Sequence, residues 1–168
     1  MNEAVITEIR NKLSQLDFTF SQKPIVIGGM AMEYYGLRKS GEDIDLIVCE
    51  HDYKSLSQLY PEKRKDIYGD LGIIFEPFEI WRSIALLDYD FYKSEAIDYE
   101  KIQMVSIENL LLMRVFAMEV EKYMNDLNLV KEYYYSNFRN SVFLAEAEQH
   151  ISSYNKFNGI IYSGKYEE

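Results

Sequence analysis

The chain has 168 residues, 48% of them hydrophobic, which is enough for one domain with a real core. Its 18 basic residues stand against 28 acidic ones, and the net charge of -10 argues against a general nucleic-acid coat, because phosphate binding needs a basic surface. No apolar run reaches the length that spans a bilayer, the start MNEAVITEIR lacks the basic-then-apolar order of a secretory leader, and the single Cys49 excludes an intramolecular disulfide; the expectation is a cytoplasmic protein.

Val5, Ile6, Ile9, Leu13 and Leu16 recur at helical spacing, which predicts an amphipathic helix over 3–16. Pro24 opens a short strand over Ile25–Ile27, Gly28-Gly29 makes a turn, and Met30–Tyr35 reads as a short helix ended by Gly36. The next strand is expected over Asp43–Val48 and the next helix over Asp52–Tyr60, stopped by Pro61. Residues 66–87 hold strand-like runs broken by Gly69, Gly72 and Pro77, the pattern of a hairpin. Ile102–Val105 is the last expected strand.

Ser106 then caps a long helix over Ile107–Tyr123, with Leu110, Leu111, Met113, Val115, Phe116 and Met118 as its core stripe. Two further helices are expected at about 126–136 and 138–154. The fold class is therefore α/β or α+β: a small mixed sheet over 1–105, C-terminal helices over 106–154 packed on it, and a tail over 155–168. The chain holds 15 tyrosines, and the run EYYYS suggests packing against another helix or a homo- or hetero-oligomeric partner.

The strand over Asp43–Val48 poses a chemical question. Side chains alternate along a strand, so Asp43 and Asp45 share one face while Ile44 and Leu46 pack on the other. Two carboxylates so close are costly unless something positive lies between them. Mg²⁺ suits that arrangement, since it takes a few carboxylates plus substrate phosphates. The glycine pair ahead of a helix permits close backbone approach and favours an anion. The bland alternative is an exposed edge strand. A Ca²⁺ loop and a dinucleotide fingerprint are disfavoured, because EDIDLIV lacks the further oxygen ligands and GGMAME lacks the third glycine.

The stretch GGMAMEYYGLRKSGEDIDLIV resembles the nucleotidyltransferase superfamily, with its DNA polymerase β-like fold. It is most similar to the branch that includes abortive-infection toxin, minimal and lincosamide-type nucleotidyltransferases. VSIENLLLMRVFA resembles that branch's strand followed by a helix carrying a basic residue. The resemblance covers residues 24 to about 130.

It implies a two-metal transfer of NMP from an NTP to a hydroxyl on a small molecule, a tRNA end or a protein. Asp43 and Asp45 would hold two Mg²⁺ ions, and a third carboxylate from a later strand would join them: Glu79, with Glu76 as runner-up. Gly28 and Gly29 would meet the phosphates through backbone groups, and Arg38, Lys39 and Arg114 would neutralise the leaving pyrophosphate. Met30 stands where related chains carry a serine or a small residue, Arg114 where a lysine is expected, and no Lys-Asp pair follows in step.

Plainer readings remain beside these. Glu79 could pair with Arg82; Arg38 and Lys39 could be loop charges; Arg114 could be solvated; Cys49, His51 and His150 lack a partner pattern. The competing function is a catalytically degenerate binding partner, such as an antitoxin-like subunit.

Overall fold

The computed structural model describes residues 2–67, 69–117, 121–138 and 142–157. It divides into two compact units, residues 1–110 and 111–168. The first unit is α+β, built on a seven-stranded mixed sheet. No described helix is long and apolar enough to cross a membrane.

Helix α1 (Glu3–Leu13) starts where the Asn2 side chain accepts the Ala4 N–H, and buries Val5, Ile6, Ile9 and Leu13. It stops three residues before the expected end, where the Gln15 and Leu16 N–H groups shift to the tighter i→i−3 bonds with the Lys12 and Leu13 carbonyls. Strand β1 (Ile25–Val26) leads into α2 (Gly28–Tyr34). The glycine pair therefore forms the first turn of the helix rather than a turn before it. Gly36 follows the end of α2 at φ +73°, a conformation that suits glycine beyond a helix C-terminus.

Strand β2 (Ile44–Ile47) and α3 (Glu50–Leu59) come next. The region expected to hold a hairpin holds more: β3 (Arg64–Ile67), β4 (Asp70–Phe75), β5 (Phe78–Trp81), and a separate small ribbon of β6 (Ser83–Ile84) and β7 (Leu87–Asp88). The short helix α4 (Tyr89–Lys93), capped by Asp88, and the two-residue strand β8 (Ile97–Asp98) had no periodic signal to announce them. Strand β9 (Gln103–Met104) completes the sheet.

The strand order is β3-β4-β5-β2-β1-β9-β8. The pairs β2–β5 and β1–β9 are parallel and the others antiparallel. Residues paired across neighbouring strands share a face. On one face Ile44, Leu46, Phe78, Ile80 and Ile73 are at most 2% exposed and form core. The other face carries Ile47 and Trp81, then turns polar at Asp45 and Glu79.

Helix α5 (Ile107–Phe116) contains the division between the units. Its N-terminus is capped as expected, with the Ser106 hydroxyl accepting the Asn109 N–H at 3.1 Å. Leu110, Leu111, Met113 and Val115 are buried, Phe116 is half-buried, and Met118 lies outside the described residues. The single helix expected to Tyr123 is instead α5 followed by a new helix, α6 (Glu121–Asn137). The last helix is α7 (Val142–Phe157). In EYYYS, Tyr134 is buried and Tyr135 exposed. Of the expected tail, residues 158–168 lie outside the described residues.

Candidate functional site

Asp45 sits in the middle of β2, between β1 and β5, where its flanking residues Ile44 and Leu46 are wholly buried. The strand's alternation thus puts a half-buried carboxylate on one face and core on the other. Asp43 lies immediately before the strand and is exposed; the Ile44 N–H, next to it, donates to the Pro77 carbonyl at 2.8 Å.

The glycine motif and the aspartate motif meet physically. The Ile27 N–H donates to the Asp45 carbonyl at 3.1 Å, which brings Gly28 over the Asp45 side chain. A Cβ on Gly28 would stand 2.2 Å from Asp45 Oδ2 and 3.0 Å from its Cγ. Gly28 also has φ +63°. Both the left-handed backbone and the contact with the carboxylate exclude a side chain there.

Arg38 and Lys39 behave differently from one another. Arg38 Nη1 lies 3.8 Å from the position of a Cβ on Gly29 and donates to the Lys39 carbonyl at 2.8 Å, so its guanidinium rests beside the start of α2. Lys39 turns away to Glu33 at 2.7 Å. The other Glu33 oxygen accepts the Ser40 N–H at 2.9 Å and the Ser40 hydroxyl at 2.7 Å. Hydrogen bonds from Lys39 first, then from the Ser40 backbone and hydroxyl, pull the Glu33 carboxyl down to about 2. The loop between α2 and β2 is thereby pinned to α2.

Glu79 pairs with Asp45 in the parallel register of β5 and β2, about 4.8 Å away at the backbone, and its side chain shares the Asp45 face. Glu76 stands exposed in the two-residue connection between β4 and β5, outside either strand. The plainer expectation of a Glu79–Arg82 pair is corrected: the sheet's alternation sends them apart. Arg82 meets Glu50 at 3.0 Å, and Glu79 meets Lys65 at 2.8 Å.

Lys65 and Trp81 are the residues that the sequence reading missed. Lys65 on β3, Gly72 on β4 and Trp81 on β5 form one row across three strands. A Cβ on Gly72 would come within 2.6 Å of two Trp81 ring atoms and 2.8 Å of the Lys65 carbonyl. The glycine gap lets the indole lie flat across β4, with Lys65 Nζ 5.7 Å from its ring centre. The indole N–H points to Asp45 Oδ1 at 3.4 Å, a long hydrogen bond. A glycine inside a strand pattern was the one available signal for this close approach.

Arg114 belongs to the second unit. Its guanidinium meets the Asp126 carboxylate at 3.0 Å, both side chains being at most 5% exposed, and it stacks 4.7 Å from the Tyr123 ring centre. It is therefore not a solvated helix residue, and its partner is Asp126, to which the sequence reading gave no role.

A cavity of about 320 Å³ opens beyond the C-terminal ends of β2 and β5, lined by Cys49, Glu50, Arg82 and Tyr89 among others. It lies past the strand end opposite to Asp43. Cys49 is buried there and His51 exposed; His150 packs against Phe116.

The donor set around Asp45 is hard oxygen, which suits Mg²⁺. Among the described residues no group of three or more His, Cys, Asp or Glu side chains is gathered in position to hold a metal ion. The assembled unit is smaller: Asp45 and Glu79 side by side, with Gly28 against the first and Lys65 on the second. Compared with known families and proteins, the chain matches no family model and no curated protein.

Proposed function

We propose that the chain is a cytoplasmic, Mg²⁺-dependent nucleotidyltransferase that moves NMP from an NTP to a hydroxyl acceptor. One observation carries this reading. Gly28 is in contact with the Asp45 carboxylate, so the glycine turn and the aspartate strand, 17 residues apart (45 − 28), act as one surface. The resemblance of the same stretch to nucleotidyltransferases gives that surface its chemistry.

In this reading Asp43, Asp45 and Glu79 would hold Mg²⁺, which would supply the charge that offsets the triphosphate and lowers the pKa of the acceptor hydroxyl. Asp45 is aimed by its strand and by the Trp81 indole. Glu79, beside it, accepts the acceptor's proton. Gly28 and Gly29 let the phosphates approach the backbone without obstruction, and Arg38, resting beside Gly29, balances charge on the leaving pyrophosphate. Lys39 anchors the loop through Glu33, and Arg114 keeps its place with Asp126.

The test is incubation with each α-labelled NTP, Mg²⁺ and total cell extract, beside the Asp43→Asn/Asp45→Asn variant. Label entering an extract component only with the unaltered chain supports the reading and identifies nucleotide and acceptor class. A second reading, a degenerate binding or antitoxin-like subunit with an oligomeric partner, is favoured by the Lys65 ammonium already on Glu79. For that reading no NTP is transferred, and NTP with Mg²⁺ leaves the melting temperature unchanged.

A further inference from the structure

Lys65 places a cation directly on the Asp45–Glu79 pair, through Glu79. Its ammonium lies 2.8 Å from Glu79 Oε1, with the Lys65 side chain 33% exposed and that of Glu79 21%. Three features make this more than an ordinary surface pair. The lysine comes from β3, two strands away from Glu79, and reaches it past Gly72, over which the Trp81 indole lies. Its ammonium lies over Trp81. Trp81 in turn donates to Asp45, so the ammonium and the second carboxylate are joined through one indole. A half-exposed pair of this kind is weak and readily exchanged.

We propose that Lys65 is a tethered counter-ion that occupies Glu79 until a divalent cation displaces it, so that Lys65 sets the cation concentration at which the site loads. This rests on the nucleotidyltransferase reading and names a regulation of the same site. The lysine carries one charge and a single contact with Glu79. A divalent cation carries two and can bridge neighbouring carboxylates, which one ammonium does not do as strongly. On displacement, the Lys65 stem keeps its place on the indole while its ammonium moves to solvent. Lys65 is a positioning residue here, acting through Glu79.

The chain supplies its own probe. Trp81 is its single tryptophan, and its indole N–H reaches Asp45. Emission is followed with excitation at the red edge, where the 15 tyrosines scarcely absorb, while MgCl₂ is added to the full chain at constant ionic strength. The unaltered chain is expected to change emission with a defined Mg²⁺ midpoint. Lys65→Met should lower that midpoint about fivefold, the scale of a half-exposed ion pair. Lys65→Gln repeats the test with a polar side chain, and Lys65→Arg, which keeps the charge, should stay near the original value. In a Glu79→Gln background, Lys65→Met should produce no further shift.

Equal midpoints for the unaltered chain, Lys65→Met and Lys65→Gln overturn the role of Lys65 and leave the nucleotidyltransferase reading standing. A shift that persists undiminished in Glu79→Gln also overturns it, since the lysine would then act as a general charge. Emission indifferent to Mg²⁺ in every chain, with no label transferred from any NTP, overturns both.

Discussion

Two of the chain's ion pairs, one in each unit, differ in their settings. Arg114 and Asp126 lie in the helical unit at 5% and 3% side-chain exposure. Lys65 and Glu79 lie on the sheet at 33% and 21%. Charges withdrawn from water become dependent on one another, and removing one strands its partner at a cost of about 3–5 kcal/mol. Charges left half in water contribute about 0–1 kcal/mol and can be exchanged for a stronger ligand. The buried pair is thus suited to fixing helices and the exposed pair to responding to a solute.

The largest effect expected is from Asp126→Ala, which leaves a buried guanidinium without its carboxylate. It should destabilise the chain by about 3–5 kcal/mol in urea unfolding. Adding Arg114→Met should recover much of the loss; a single variant within about 1 kcal/mol of the parent would break the comparison. Gly72→Ala comes next. Its methyl group collides with Trp81 and the Lys65 backbone, so a loss of about 1–3 kcal/mol is expected, with a shifted tryptophan emission. Unchanged emission and stability would show that the indole does not need the gap.

Glu33 falls between the two pairs, with its side chain 16% exposed and its partner Lys39 88% exposed. Its carboxyl is lowered from 4.5 to about 2, so its contribution is present above pH 4.5 and is lost as pH falls toward 2. Glu33→Gln should cost about 1 kcal/mol at neutral pH. It should also flatten the acid limb of a stability–pH curve over that window. Parallel curves for parent and variant would remove Glu33 as the anchor of its loop. The smallest effect is that of Lys65→Met on stability, under about 1 kcal/mol by thermal melting. A loss as large as that of Asp126→Ala would mean that the sheet pair, too, is structural.

How far the sequence could be read follows from the range of each interaction. The Asp43–Val48 alternation is local, and β2 places Asp45 and its apolar neighbours on opposite faces as the spacing implied. Ser106 was legible as a cap for the same reason. Glu79 was picked from its apolar frame, and its strand sets it beside Asp45. Its partner was not legible, because Lys65 reaches it across an intervening strand, beside an indole seated on a glycine. Arg114 and Asp126 are 12 positions apart on two helices (126 − 114), and the sequence offered no sign that one long helix would be two. Strands of two residues, such as β8, are too short to show any period.

One further feature lies away from both pairs. The Asp52 carboxylate on α3, 1% exposed, accepts the Ser21 N–H at 3.0 Å and the Gln22 N–H at 3.3 Å. These two amides belong to a connection without regular structure, the sort of segment whose amide protons ordinarily exchange with solvent within moments. Held by a buried anion, they should instead exchange on the timescale of the neighbouring helix. The consequence is a practical rule for re-engineering the chain: new termini opened ahead of Ser21 leave this clasp intact, whereas a cut between Ser21 and Gln22 divides its two amides between separate chain ends.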